Sequence, residues 1–309
     1  MKMDISKIHP ELRNIVRFIP PLPFHSRLFV WLTNFLQALV PTKKSLSGVE
    51  ISSRRLSTAS VRIYTPQGPL SGAGLLWIHG GGLISGRAAQ DDQVCARYAE
   101  ALRLVVVSVD YRLAPKHPFP AALDDCHAAW SWFVQEAANL GVDPKRIAVS
   151  GQSAGAGLAA SLSQKLSDES GQQPAAQVLF CPMLDDRTAD RAELDAVKHR
   201  IWNNRSNRAG WSAYLGQPPG AQQTPAYAVP ARRSSLANLP PAWIGIGDID
   251  LFYDEASEYA RRLKNADVRC TFHTVPMAPH AFETIVPDAE ISKGLFADNY
   301  RFLKDVLDL

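Results

Sequence analysis

A serine hydroxyl attacks a carbonyl only when a base takes its proton and a carboxylate holds that base in line. The chain carries one serine in a setting that would expose it for this work. Ile147-Ala148-Val149 leads into Gly151-Gln152-Ser153-Ala154-Gly155, and an Ala- and Leu-rich stretch follows. That is the strand, tight turn and helix required by a Gly-x-Ser-x-Gly nucleophile elbow. Small residues around Ser153 let strand and helix approach closely, and the helix aims its N-terminal N–H groups at the same point.

In such an arrangement the acid and then the histidine follow the serine, each in a loop beyond a strand. Pro276-Met277-Ala278-Pro279-His280-Ala281-Phe282 follows an apolar run at 270–275, which makes His280 the preferred base among eight histidines. His273 lies within that run and is read as structural. His9, His25, His199, His117 and His127 are not given catalytic roles. For the acid, Asp250 leads and Asp248 stays open, both following the run at 242–246. Asp254 and Glu255 read as first-turn helix residues, where negative charge suits the dipole. His79-Gly80-Gly81-Gly82 follows another apolar run, and glycines there would let backbone N–H groups reach a carbonyl oxygen. His79 is read as an anchor of this loop.

The elements that must position these groups are legible from periodicity. Val49-Glu50-Ile51-Ser52 and Ser60-Val61-Arg62-Ile63-Tyr64 alternate, as half-exposed antiparallel edge strands do. Solid apolar runs follow at 74–78, 104–109, 147–149, 177–180, 242–246 and 270–275. Helical segments at 90–103, 121–140, 154–168 and 254–266 lie between most of them, and 288–307 ends the chain. This is an α/β pattern of about eight strands, mostly parallel and covered by helices on both faces.

Two regions break the alternation. Leu28, Trp31, Leu32, Phe35, Leu36 and Leu39 recur at helical spacing, with Asn34 and Gln37 opposite. The first expectation is a helix packed on the body; the alternative is a mobile lid lining an acyl pocket. Membrane attachment is disfavoured because the polar face is not Lys-rich. The stretch 185–222 reads as inserted helices, at Ile201–Arg205 and Trp211–Leu215, closed by Pro218-Pro219-Gly220. Residues 1–45 and 185–222 are expected to form one cap over a catalytic body of 46–184 and 223–309.

At 309 residues and a net charge of +3, nothing argues for nucleic acid. No run of about 18 uninterrupted apolar residues suggests a membrane span. No apolar core with a small-residue cleavage site suggests a signal peptide. Cys95, Cys126, Cys181 and Cys270 are widely spaced and read as reduced structural thiols, which suits a cytoplasmic protein.

Taken together, His79–Gly82, Asp110-Tyr111-Arg112-Leu113-Ala114-Pro115, His117–Ala122, Asp143–Ile147, Gly151–Gly155, Asp250–Glu255 and His280-Ala281-Phe282 resemble the hormone-sensitive-lipase family of bacterial carboxylesterases, within the α/β-hydrolase fold. Trp202–Arg205 and Trp211–Gly216 resemble that family's cap insertion. The resemblance implies that Ser153 is the nucleophile, Asp250 the triad acid and His280 the base, with oxyanion-hole N–H groups from Gly81, Gly82 and Ala154. It implies short- to medium-chain acyl esters as small-molecule substrates, no cofactor and no metal, and often a homodimer joined by edge strands. Three positions depart from the pattern. Gln152 stands where Asp usually supports the glycine loop, Ala281 where Gly is usual, and Lys116 where Glu is common. Asp110 and Arg112 are expected to form a structural, partly buried pair. The expected reaction is two-step acyl transfer through an acyl-enzyme. An amide or N-acyl hydrolase using the same triad is the first alternative. A non-catalytic small-molecule receptor is the second; plant gibberellin receptors resemble the family but lack the histidine.

Overall fold

The computed structural model describes residues 4–46, 48–197 and 199–309. Its centre is a nine-stranded sheet in the order β1-β2-β3-β5-β4-β6-β7-β8-β9. The strands are β1 (Ser45–Leu46), β2 (Val49–Arg55), β3 (Ser60–Pro66), β4 (Gly74–Ile78), β5 (Val105–Asp110), β6 (Ile147–Gln152), β7 (Gln177–Phe180), β8 (Ala242–Gly247) and β9 (Cys270–Val275). From β5 onward across the sheet all pairs are parallel, while β1, β2, β3 and β5 pair antiparallel. The ninth strand, absent from the sequence reading, is the two-residue β1. It is too short to show a period-2 pattern.

The helices are α1 (Pro10–Val16), α2 (Arg27–Leu39), α3 (Asp92–Leu102), α4 (Ala121–Glu136), α5 (Ala154–Asp168), α6 (Arg187–Asp190), α7 (Asn204–Leu215), α8 (Tyr253–Asn265), α9 (Phe282–Ile285) and α10 (Glu290–Val306). Successive strand residues feed two cores. Leu76 and Ile78 join the core with α4, α5 and α8, while Leu75 and Trp77 join the one with α3 and α10. A strand buried on both faces carries no polar alternation, which is why β4 to β8 read as solid apolar runs.

Three local outcomes differ from the sequence reading. β3 is not a half-exposed edge but is largely buried between β2 and β5. Its Arg62 is absorbed by Asp92, at 2.9 Å to each carboxylate oxygen, and Tyr64 donates to the same carboxylate at 2.7 Å. Of the two helical runs expected in the insertion, Ile201–Asn203 stay outside a helix and the rest form the single helix α7, which begins where the Asn203 side chain accepts from Ser206 N at 3.0 Å. Finally, α2 does not pack by its apolar stripe. Asn34 points into the protein, donating to Ile84 O at 3.0 Å and accepting from Ser85 Oγ at 2.9 Å and Gly86 N at 3.2 Å. The leucines and aromatics of the stripe are left exposed. A helix period locates a stripe but says nothing of which side the body will hold.

Candidate active site

β6 runs straight into the turn at Ser153, whose φ of 55° and ψ of −119° lie outside the usual wells. Such a conformation costs on the order of 1–3 kcal/mol and survives only where its surroundings over-determine it. Here Ser153 N donates to Phe180 O at 2.8 Å, and Ser153 O accepts from Gly157 N at 3.0 Å and Met183 N at 3.1 Å. Gly155 is required by crowding: a Cβ there would lie 2.1 Å from Ile78 O. The elbow thus presses against the end of β4, from which the glycine loop departs.

β8 delivers Asp250 and β9 delivers His280, both buried like Ser153. His280 Nδ1 lies 2.8 Å from Asp250 Oδ2, and His280 Nε2 lies 2.9 Å from Ser153 Oγ. Asp250 Oδ1 accepts from Phe252 N at 2.9 Å, which fixes the carboxylate plane. The Phe252 ring and the imidazole meet in a T shape, with centroids 5.2 Å apart and planes at 80°. Asp248, the open alternative, instead accepts from Met277 N at 2.6 Å and holds the loop's start. Burial pulls the His280 pKa down, but the charge and hydrogen bond of Asp250, with the charge of Glu283, outweigh it and leave it raised.

The glycine loop is held by its carbonyls. Tyr111 Oη donates to His79 O at 2.9 Å, and His79 stacks on the Tyr111 ring with centroids 4.1 Å apart. Gly80 O lies 2.8 Å from His79 Nδ1 and accepts from Gln90 Nε2 at 3.2 Å. Gly81 O accepts from Ser85 N at 3.0 Å. In a trans peptide the N–H points opposite to the C=O. The Gly81 and Gly82 N–H groups therefore face away from these anchors. By the same geometry the Ala154 N–H faces away from Gly157 and Met183. At Gly82, with φ of +62°, a Cβ would collide with the Trp202 ring at 1.9 Å, so only glycine lets the insertion close on this loop.

Around the triad the structure adds Glu283 and Thr284, which the sequence did not mark, and gives partners to residues that it did. Gln152 bridges two loops: its amide donates to Glu283 Oε1 at 2.6 Å and Thr284 Oγ1 at 3.1 Å in the histidine loop, while its Oε1 lies against Gly80, 3.6 Å from where a Cβ would stand. Glu283 is buried, and burial raises its pKa despite the Gln152 hydrogen bond. Its place three residues after His280, in the short helix α9 that follows the left-handed Ala281, was the available signal. His199 is half-buried; desolvation lowers its pKa, with Asp250 and His280 close enough for their charges to act. Ala281 adopts the left-handed region at φ 56°, where a glycine would be unstrained. Arg112 does not pair with Asp110. Its guanidinium grips Asp125 at 2.8 and 3.0 Å, while Asp110 accepts from Ala88 N at 3.0 Å. Glu255 is more than a first-turn charge: buried, it accepts from Leu184 N at 2.6 Å and from Thr188 Oγ1.

Among the described residues, one group of metal-ligand type gathers: Cys181, Asp250 and His280, with donor atoms within 4.8 Å of one another. Binding a metal takes a thiolate, whereas burial pushes the Cys181 pKa well above its ordinary value. Both His280 ring nitrogens are already engaged. This donor set does not fit a metal centre.

Residues 75–284 match the family described by the α/β-hydrolase fold. Among curated proteins, the chain is 35% identical over 231 residues to esterase LipI of Mycobacterium tuberculosis, covering 72% of this chain and 71% of that protein. It is 31% identical over 241 residues to an ethyl acetate hydrolase of Pseudomonas putida, covering 77% and 75%. Among solved structures, esterase LipW of Mycobacterium marinum superposes with a TM-score of 0.86 at 33% identity, covering 98% of this chain and 97% of that one. A hydrolase sheet, a serine at the elbow and esterase relatives along most of the length lead to one conclusion: the chain belongs to the hormone-sensitive-lipase-like family of α/β-hydrolase carboxylesterases.

Proposed function

We propose that the chain is a serine carboxylesterase cleaving short- to medium-chain acyl esters through an acyl-enzyme on Ser153. The observation that carries this reading is the hydrogen-bonded line from Ser153 Oγ through His280 to Asp250, at 2.9 and 2.8 Å. His280 takes the serine proton as Oγ attacks the ester carbonyl, and Asp250 stabilises the imidazolium. The Gly81, Gly82 and Ala154 N–H groups hold the oxyanion. His280 then protonates the departing alcohol, and water activated by the same ring releases the acid. No cofactor enters this scheme.

Short acyl groups are also supported by the relative that hydrolyses ethyl acetate. Residues 1–45 and 185–222 are read as one cap. Phe24 packs on Trp202 with ring centroids 5.5 Å apart, and Arg200 donates to Arg17 O at 3.0 Å and Ile19 O at 2.8 Å. A cavity of about 940 Å³ lies between α2, the 113–118 turn and α7, lined by residues of both cap segments and by none of Ser153, His280, Gly81 or Gly82. A homodimer joined through the β9 edge fits the same reading, since among the described residues β9 pairs with β8 alone. The unpaired cysteines suit a cytoplasmic protein.

The test is a p-nitrophenyl ester series from acetate to decanoate, run on the wild type and on Ser153→Ala. Turnover should peak at the shorter chains and fall by about 10⁴-fold or more in the variant, with the fold intact by circular dichroism. Wild-type-like turnover in that variant would end the proposal. A higher kcat/KM on a matched anilide would reassign the chain to amide hydrolysis.

A further inference from the structure

Helix α2 turns the wrong chemistry to water. Asn34 and Gln37 face the body, whereas Leu28, Trp31, Leu32, Phe35, Leu36 and Leu39 face outward with 44 to 72% of their surface exposed. Trp31 and Phe35 stack, with ring centroids 5.5 Å apart and planes within 9°. The result is a contiguous aliphatic and aromatic stripe, unlike the single apolar residues scattered over any surface. The helix is not free to roll it inward. Asn34 is locked to Ile84, Ser85 and Gly86, and Arg87 Nη1 donates to Gln37 O at 2.5 Å and Val40 O at 3.2 Å.

Charge identifies what covers this stripe. From residue 12 to residue 49 the chain holds Arg13, Arg17, Arg27, Lys43 and Lys44 but no carboxylate, although the whole chain is only +3. Arg27 opens α2, Lys43 and Lys44 follow its end, and all three are exposed. Lys116 adds a further cation on the cavity wall beside Trp31. A second copy docking through the same face would bring like charges together. The sequence expectation against membrane attachment rested on a polar face without lysine, but that face is turned to the body and the cations stand at the helix ends. An anionic lipid surface therefore satisfies both halves: its acyl margin takes the stripe and its phosphates take the cations. No described helix is long and apolar enough to cross a membrane, so α2 would lie flat.

We propose that α2 docks the protein on an anionic lipid surface, stripe down, with Arg27, Lys43 and Lys44 among the headgroups. The cavity walled by Val30, Trp31 and Leu113 is then set against the lipid phase. This goes beyond the esterase reading and is tested separately from it. The full chain is sedimented with phosphatidylcholine vesicles, with and without phosphatidylglycerol, at low and high salt. Binding should require phosphatidylglycerol and weaken with salt. Combining Leu32→Ser, Leu36→Ser and Leu39→Ser should weaken it by at least about tenfold. Lys43→Glu with Lys44→Glu should weaken it by at least about twentyfold. Ser153→Ala should bind vesicles like the wild type, so a failed catalytic reading leaves this one standing. No wild-type binding to either vesicle would overturn the proposal, as would undiminished binding by the charge-reversed variant. So would a dimer, seen by light scattering, that the triple serine variant dissolves. If the serine variant does not fold, the charge reversal alone decides.

Discussion

Glu283 puts a second buried carboxyl group beside His280, and its effect belongs in the pH profile. The base works only when neutral, and the His280 pKa is raised above the ordinary 6.5. The acid limb of kcat/KM should therefore have its midpoint above 6.5, activity being lost as pH falls through it. Replacing Glu283 by Gln keeps an acceptor for Gln152 but removes the charge, so the midpoint should move to lower pH. The groups bearing on this pair are Asp250, His199, Asp91 and Cys181, all unchanged in that variant. A midpoint that stays put or rises would show that Glu283 acts only as scaffolding. At this scale much was legible. Ser153, His280 and the glycine loop announce themselves because each sits in a short motif that local sterics demand. Asp250 was preferred over Asp248 from the sequence, with Asp248 left open because the two stand only two residues apart in one loop; in the fold Asp250 meets His280 and Asp248 meets Met277 N. Gln152 was recognised as a departure, but its partner Glu283 lies 131 positions away.

At the scale of elements, buried polar pairs mark where periodicity misleads. Arg62 and Asp92 are bonded through two oxygens, with side-chain exposures of 8% and 9%. Arg62 gives β3 an alternating, half-exposed signature, yet α3 supplies the countercharge and the strand is buried. Arg62→Leu should leave Asp92 and the Tyr64 hydroxyl facing an apolar neighbour. A loss of about 3–5 kcal/mol in urea unfolding is expected. A loss below about 1 kcal/mol would mean that the pair is hydrated and dispensable. The parallel strands and their helices were read correctly for the complementary reason. Burial on both faces leaves only apolar residues, a signal that needs no partner to interpret. The outward stripe of α2 shows the opposite case. The stripe itself follows from the order of residues along the helix, while the direction it faces depends on Asn34 finding Ile84, Ser85 and Gly86.

Over the whole molecule, Trp202 is where the insertion, the N-terminal segment and the glycine loop meet, touching Phe24 on one side and Gly82 on the other. Trp202→Ala should cost about 3–5 kcal/mol of stability through the cavity it leaves. It should also shift the p-nitrophenyl ester preference toward longer acyl chains, with kcat/KM on the butyrate falling about tenfold or more. An unchanged chain-length profile would remove Trp202 from the pocket wall. By itself the amino-acid order determined the α/β architecture and the family, and it singled out Ser153 and His280, which the fold brings within 2.9 Å of each other, because these rest on short-range sterics and on burial of continuous apolar strands. Only the tertiary structure decided that Asp248 holds the start of the histidine loop, that Gln152 pairs with Glu283, which acid Arg112 and Arg62 choose, and which side of α2 meets water. Each of those is a contest among distant partners, and its outcome depends on distances that exist only after the chain has closed.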